Sequence, residues 1–217
     1  MKRVLCYGDS NTWGYMPGIG TRFPADVRWT GVAAGMLQDQ CIVLEDGLNG
    51  RTTVFDDPYT GFRNGKKGLG YSLCAQAPID LLVLCLGTND LKFTNVTGAT
   101  KGLEELLRQI GLDNACFDAA MVPIFTQGPK VLVISPITLH PDIATLRPDS
   151  SMADKYADST QFAARYQAAA QARGLYFLDA AQYGSPSPAD CVHMDAQSHQ
   201  RLGRAVAEKI RAILAEP

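Results

Sequence analysis

Residues 1–14, MKRVLCYGDSNTWG, are the stretch around which the rest of the chain is organised. Val4 to Tyr7 is an apolar run of strand length, partly β-branched and aromatic, and Gly8 closes it. A glycine followed by Asp9 and Ser10 predicts a tight turn at the end of a buried strand. Ligands bind at the carboxyl edge of the strands in an open α/β sheet. The Ser10 hydroxyl is therefore predicted to lie at a ligand site.

The composition is that of an ordinary globular domain. The chain has 217 residues, of which 46% are hydrophobic and 19% are charged. A formal net charge of −2 gives no reason to expect nucleic acid or an anionic membrane as a partner. Because no apolar run reaches about 18 residues, the sequence predicts no transmembrane helix.

The targeting and cysteine patterns favour the cytoplasm. Lys2 and Arg3 precede an apolar run that stops by Gly8, which is too short for the core of a signal peptide. The six cysteines include neither a C-x-x-C pair nor a zinc-site spacing. Cys6 and Cys85 fall inside apolar strand segments, as reduced core residues do. We expect neither a metal nor a cofactor.

Strand-like apolar runs and helical periodicities alternate along the chain. Strands are predicted over residues 4–7, 41–45, 81–86, 130–134 and 176–178. Helices are predicted over 27–40 with Asp26 as N-cap, 68–77, 99–110, 150–173, and from Asp195 as N-cap to Leu214. Residues 111–127 are expected to be partly helical. Since no linker interrupts this order, we expect one three-layer α/β domain over residues 1–217 with a five-stranded parallel sheet.

A serine nucleophile needs a base within hydrogen-bond reach and a third group that orients the base. His193 follows Asp190 by three residues in an irregular segment, so a turn can bring the carboxylate onto Nδ1 and leave Nε2 facing Ser10. His199 lies inside the final helix and has no acid placed in this way. Asp195 is the competing acid, but it is better placed as a helix cap. The candidate catalytic residues are Ser10, Asp190 and His193.

The oxyanion of an acyl-transfer reaction needs preorganised hydrogen-bond donors. Three candidates follow three different strands, namely the amides of Ser10 and Gly50 and the side chain of Asn89. Trp13, beside the serine loop, and His140, in the loop after the fourth strand, are candidate substrate contacts.

Four sequence blocks resemble those of the SGNH (GDSL) hydrolases and span nearly the whole chain. They are GDSNTWG with Ser10, GLNGRTT with Gly50, LGTND with Asn89, and DCVHMDAQSH with Asp190 and His193. The resemblance implies a flavodoxin-like α/β/α sandwich. It also implies a serine esterase that hydrolyses short-chain carboxylic esters, such as acetyl and aryl esters, through an acyl-enzyme on Ser10.

Four further segments, DVRWTG, EDGLNGRTT, DDP and PKVLVISP, look like the small aryl esterase and acyltransferase branch of that family. This resemblance implies a homo-oligomer that acts on small esters. The chain departs from the branch over residues 111–127 and 135–150. Self-association is also predicted from apolar side chains in a Gly/Pro-rich loop, Tyr15, Met16, Ile19 and Phe23.

Other functions remain open on the sequence alone. The same acyl-enzyme would serve an acyltransferase that uses alcohols or peroxide, a carbohydrate-ester deacetylase or a thioesterase. The alternative outside enzymes is a flavodoxin-like protein that binds a phosphate on the loop Ser10-Asn11-Thr12. Covalent labelling by a fluorophosphonate would favour the hydrolase.

Overall fold

Five parallel strands form one sheet through the centre of the computed structural model, which describes residues 1–118 and 123–216. The strands are β1 (Lys2–Gly8), β2 (Cys41–Gly47), β3 (Leu81–Cys85), β4 (Val131–Ser135) and β5 (Tyr176–Asp179). Their order across the sheet is β2-β1-β3-β4-β5. The predicted five-stranded parallel sheet is therefore confirmed.

Helices cover both faces of this sheet. They are α1 (Ser10–Trp13), α2 (Trp29–Leu37), α3 (Gly65–Gln76), α4 (Val96–Asp118), α5 (Ile143–Leu146), α6 (Tyr156–Ser159), α7 (Phe162–Gln171) and α8 (Ala196–Ala215). Two 3₁₀ turns, Thr88–Lys92 and Ala180–Gln182, follow β3 and β5.

Two hydrophobic cores lie on opposite faces of the sheet. Leu5 and Tyr7 of β1 point into the core shared with α3, α4 and α7. Val4 and Cys6 point into the core shared with α2 and α8. Because the central strands are buried on both faces, their sequences are apolar throughout rather than alternating. The resulting three layers confirm the predicted α/β/α sandwich.

The strand order creates a crevice between β1 and β3. The chain leaves β1 towards α2 on one face, whereas it leaves β3 towards α4 on the other. Connections that diverge from neighbouring strands open a crevice at the carboxyl edge, where ligands bind in such sheets. Strands β1 and β3 end at the same height in the sheet, because Gly8 pairs with Cys85.

Helix α2 begins at Trp29, and the prediction that Asp26 caps it is wrong. The Arg28 amide donates to Pro24 O at 3.2 Å, which closes a turn ahead of the helix. Arg28 occupies the N-cap position, and its guanidinium binds the Glu45 carboxylate of β2 at 2.6 Å. The start of this helix is therefore set by a tertiary ion pair that the local sequence does not reveal.

The single long helix predicted over residues 150–173 is also wrong, because α6 and α7 divide that segment. Side chains near the break bind other parts of the molecule. The Ser159 hydroxyl accepts from Leu139 N at 3.0 Å, and the Asp158 carboxylate accepts from Val96 N at 3.0 Å. These bonds to distant backbone compete with a continuous helix.

Other boundaries differ by smaller amounts. Asn64 accepts from Lys67 N at 3.3 Å and caps α3, which therefore starts three residues before the predicted boundary. Helix α4 continues through Asp118, so the first part of the ambiguous segment is helical. Residues 119–122 of that segment lie outside the described residues.

We predict that Gly47→Ala destabilises the protein by about 2 kcal/mol, because the site next to the serine turn has no room for a methyl group. A Cβ at Gly47 would lie 2.5 Å from Trp13 Cα and closer still to Trp13 N. These are backbone atoms that cannot rotate away. The measurement is the free energy of unfolding in urea.

The matched control for this substitution is Gly35→Ala, in the interior of α2. A Cβ at Gly35 meets no atom within 4 Å. Alanine should therefore stabilise the helix there by up to about 1 kcal/mol. Equal effects of the two substitutions would contradict the steric account.

Candidate active site

Ser10 is the first residue of α1, directly after the turn that ends β1. The Asp9 carboxylate accepts from Asn11 N at 3.0 Å and caps this short helix. Gly14 ends the helix in the left-handed conformation, with φ of 87°. The sequence GDSNTWG thus specifies one helical turn that holds the buried Ser10 at the edge of the sheet.

The structure brings Ser10, His193 and Asp190 into one hydrogen-bonded line. His193 Nε2 lies 2.8 Å from Ser10 Oγ, and His193 Nδ1 lies 2.8 Å from Asp190 Oδ2. The other Asp190 oxygen accepts from the amides of Val192 and His193 at 3.1 and 2.9 Å. Burial raises the pKa of Asp190, but the hydrogen bonds from His193 and the amides outweigh it, so the net pKa lies below the usual value.

Asp195 has a different environment from Asp190. Its carboxylate accepts from Ser198 N at 2.7 Å and caps α8, as the sequence predicts. Helix α8 then extends to Ala215, one residue beyond its predicted end. Between the two acids, Asp190 is therefore the one that reaches the imidazole of His193.

Asn11 fixes the histidine loop against the serine turn, a contact that sequence reasoning missed. Its side-chain oxygen accepts from Met194 N at 3.0 Å, and its Nδ2 donates to Val192 O at 3.4 Å. These bonds hold both backbone neighbours of His193. The position of Asn11 directly after Ser10 was the available signal, because a buried amide beside a strand end must find partners.

Tyr15 packs against the same imidazole. The ring centroids of Tyr15 and His193 are 4.2 Å apart, with planes inclined by 31°. Tilted packing of two rings at this distance restricts rotation of the imidazole. Phe23 packs edge to face on buried His199, with centroids 5.3 Å apart. Two of the four loop residues from which self-association was predicted, Tyr15 and Phe23, therefore pack against the protein itself.

Gly50 and Asn89 line the same cavity as Ser10. Gly50 adopts φ of 80°, in the left-handed region that favours glycine. The Asn89 side chain donates to Arg51 O at 3.2 Å, which ties the 3₁₀ turn after β3 to the loop after β2. The three predicted oxyanion donors are thus brought to one cavity from three strand ends.

Arg51 and Asp90 lie close in the loops beside the cavity but bind different partners. The Arg51 guanidinium donates to Gly8 O at 2.9 Å and to the Asp46 carboxylate at 2.8 Å. Asp90 is buried and accepts from both the amide and the hydroxyl of Thr53. Burial raises the pKa of Asp90 to about 7, although the bonds from Thr53 oppose that rise. Both residues brace the loop that carries Gly50.

A cavity of about 300 Å³ opens in front of these residues. Its lining comprises Ser10, Tyr15, Asn49, Gly50, Arg63, Asn89, Lys92, Arg147, Ser150, Met152, Asp190, Val192 and His193. In the described part of the chain, no group of three or more His, Cys, Asp or Glu side chains is arranged to hold a metal ion.

Trp13 and His140 are not among the lining residues of this cavity. The Trp13 ring instead carries the Arg22 guanidinium, 5.4 Å from its centroid. His140 N donates to Cys191 O at 2.9 Å, and its ring accepts from Asp142 N at 3.2 Å. Both side chains are engaged beside the cavity, so the structure gives neither prediction of a substrate contact any support.

His199 is separated from the cavity by the packing of α2 and α8. Its Nδ1 accepts from Trp29 N at 3.3 Å. Burial lowers the pKa of His199 to about 4, so the ring is neutral near pH 7. Its role is in the core, as its place inside the final helix suggests.

An α/β sandwich with a hydroxyl, an imidazole and a carboxylate in contact at its strand ends has the architecture of a serine hydrolase. The profile of the GDSL-like Lipase/Acylhydrolase family matches residues 6–201. The chain belongs to this family, and it is a carboxylic ester hydrolase. Family membership decides against the flavodoxin-like binding protein.

Two solved structures show the extent of the similarity. The aryl esterase of M. smegmatis is 34% identical over 98% of this chain and 100% of that one, with a TM-score of 0.87. A carbohydrate acetylesterase from Sinorhizobium meliloti is 32% identical over 98% of this chain and 100% of that one, with a TM-score of 0.89. The comparison with curated proteins gave no match.

We expect Asp190→Asn to lower kcat by up to about 10⁴-fold, because asparagine cannot hold the proton of His193 on Nδ1. Asp195→Asn is the matched control and should change kcat little, since asparagine also caps helices. Steady-state kinetics on a 4-nitrophenyl ester, with circular dichroism to check folding, measure both. A larger loss at Asp195 would show that the acid is wrongly assigned.

Proposed function

We propose that the protein hydrolyses short-chain carboxylic esters through an acyl-enzyme on Ser10. The observation that supports this most directly is the line of two 2.8 Å contacts from Ser10 through His193 to Asp190, which opens onto a cavity. We also propose that residues 1–217 form a single catalytic domain.

In this mechanism the Ser10 hydroxyl donates its hydrogen bond to His193 Nε2 and attacks the ester carbonyl. The imidazole takes the proton and returns it to the departing alcohol. Asp190 accepts from Nδ1–H, which fixes the tautomer and stabilises the imidazolium. A water molecule then attacks the acyl-enzyme while His193 takes a proton from it. His193 returns that proton to Ser10 Oγ as the acyl C–O bond breaks and the carboxylic acid leaves.

The tetrahedral intermediates place negative charge on the former carbonyl oxygen. We propose that the amides of Ser10 and Gly50 and the side chain of Asn89 bind this oxygen. Two features support that role. The bond from Asn89 to Arg51 O holds one amide proton and leaves the other for the cavity. The left-handed Gly50 brings bare backbone to the same space.

The dimensions of the cavity favour small substrates. Its volume of about 300 Å³ is at the lower end of the usual range for small-molecule sites, about 300–1,000 Å³. Similarity to an aryl esterase and to a carbohydrate acetylesterase agrees with small acyl groups. Acyl transfer to an alcohol would use the same intermediate, and no contact in the described residues selects an alcohol over water.

Location and assembly stay predictions. In residues 1–118 and 123–216, no helix is both long enough and apolar enough to cross a bilayer. We propose a cytoplasmic enzyme, in agreement with the buried thiols of Cys6 and Cys85.

We further propose that the chain self-associates, because several large apolar side chains are exposed. Ile19 keeps 67% of its surface in the predicted contact loop, and Tyr59, Phe62 and Tyr71 are exposed around α3. Light scattering at micromolar concentration should give a mass at least twice that of the 23.5 kDa chain. A pure monomer over that range would contradict the proposal.

The esterase proposal is tested by covalent labelling. A fluorophosphonate should label the wild-type protein once, and Ser10→Ala should lose both the label and the turnover of 4-nitrophenyl acetate while remaining folded. Ser151→Ala, at an exposed serine, is the control that keeps both. Wild-type turnover by the folded Ser10 variant would refute the proposal.

A chain-length series and one further variant complete this test. Acetyl and butyryl esters should be hydrolysed faster than octanoyl esters, because the cavity is small. Asn89→Ala should lower kcat by about 10²–10³-fold, as expected when one oxyanion donor is lost. Faster hydrolysis of the octanoyl ester, or an effect of Asn89→Ala on KM alone, would argue against these assignments.

A further inference from the structure

The cavity in front of Ser10 has an unequal distribution of charge. Three cationic side chains, Arg63, Lys92 and Arg147, line it. Asp190 is the one carboxylate among the described lining residues, and it is bonded to His193. The proposed hydrolysis of a neutral ester uses none of the three cations. Their presence calls for a separate explanation.

Lys92 is the cation with the least compensation. Within the described part of the chain, its ammonium group makes no hydrogen bond and no ion pair. Lys92 is half-buried, and burial together with the charge of Arg63 lowers the pKa of its ammonium group, although Asp9 and Asp57 oppose that shift. A partly desolvated charge without a bonded partner is costly, and a bound anion would offset that cost.

The local helix directs Lys92 to the reaction centre. It ends the 3₁₀ turn Thr88–Lys92, which also carries Asn89. Side chains three residues apart are eclipsed in a 3₁₀ helix, so Lys92 and Asn89 share one face. Both residues line the cavity. An anion held by Lys92 therefore lies one turn from the proposed oxyanion donor.

Arg63 places a second cation beside the other proposed donor. A Cβ at Gly50 would lie 2.7 Å from Arg63 Nε, so the guanidinium packs against the Gly50 backbone. Its Nη1 binds Asp57 at 2.8 Å, but its Nε is buried without a hydrogen-bond partner. The rest of the Arg63 side chain is partly exposed at the cavity wall, where its charge can interact with an anion.

Arg147 completes the group from the loop between α5 and α6. Its nearest recorded partner is the exposed Asp149, with 3.7 Å between Nε and Oδ1. That distance is too long for a hydrogen bond. Arg63 is paired with Asp57 and Arg147 has only a loose acidic neighbour, whereas Lys92 has no carboxylate in contact, so Lys92 carries the least compensated positive charge. One carboxylate matches it better than a dianionic phosphate.

We propose that this enzyme prefers esters that carry a carboxylate, which Lys92 binds with help from Arg63 and Arg147 while the ester carbonyl lies at Ser10. This inference rests on the proposed esterase function and adds a substrate class to it. The carboxylate can belong to the acyl group or to the alcohol, and the two sources are distinguished by experiment.

The experiment compares kcat/KM within two matched pairs of esters. For the acyl side the pair is mono(4-nitrophenyl) glutarate and the neutral 4-nitrophenyl glutaramate, with spontaneous hydrolysis subtracted. For the alcohol side the pair is 3-acetoxybenzoate and 3-acetoxybenzamide. The wild-type enzyme should prefer the anionic member by about tenfold or more in at least one pair, because a charged hydrogen bond is strong when partly desolvated.

Variants show whether the cations cause the preference. Lys92→Met should lower the anionic-to-neutral ratio about tenfold, whereas Lys92→Arg should retain most of it. Arg147→Met provides a second variant at a more exposed position and should lower the ratio less. Lys101→Met removes an equal charge from the exposed surface of α4 and should leave the ratio unchanged.

The outcomes separate this inference from the function on which it rests. Turnover of the neutral esters with no preference for an anion in either pair would overturn the inference and leave the esterase intact. An unchanged ratio in folded Lys92→Met and Arg147→Met would also overturn it. Failure of the folded wild type on all four esters would contradict the esterase proposal, and the inference with it.

Discussion

The site depends on one constraint, which is that β1, β2 and β3 end at the same height in the sheet. Gly8 pairs with Gly47 on one side and with Cys85 on the other. The residues after these three positions therefore leave the sheet at the same height. Since side chains reach only a few ångströms, a shift of one residue along a strand, about 3.3 Å, would separate groups that now share one cavity.

Strand register alone does not fix the imidazole, which belongs to an irregular segment. Asn11 binds the backbone on both sides of His193, and Asp190 binds its ring and its amide. Tyr15 packs against the ring. Such buried polar networks restrict a loop only when their members are satisfied together. The histidine is thus held by Asp190 from its own loop and by Asn11 and Tyr15, which follow Ser10.

The fold was predictable because its signals are local and strong. The five apolar runs are strands, of which β1, β3 and β4 are largely buried, and Asp195 caps α8 by accepting from Ser198 N. The errors lie where distant atoms decide. Arg28 binds Glu45 of β2, and Ser159 binds the Leu139 backbone. The boundaries of α2 and α6 therefore depend on contacts with residues that are distant in sequence. Candidate catalytic residues were identifiable because sequence blocks carry them, whereas Tyr15 and Lys92 required coordinates.

The groups proposed to break the ester bond and those proposed to select the substrate come from different parts of the fold. Ser10 and Asn89 follow the ends of β1 and β3, and the loop of His193 is bound by Asn11 beside β1. The sheet therefore determines the geometry of the groups proposed for bond cleavage. Arg63 and Arg147 come from long connections, and Lys92 comes from the last residue of a 3₁₀ turn. Connections tolerate substitution and insertion more readily than strands do. A family that keeps the hydrolytic groups on the sheet can therefore change the charge of its substrate by changing the connections alone. In this chain, the proposed hydrolytic group Asn89 and the proposed specificity group Lys92 lie on the same 3₁₀ turn, so a change in that turn affects both.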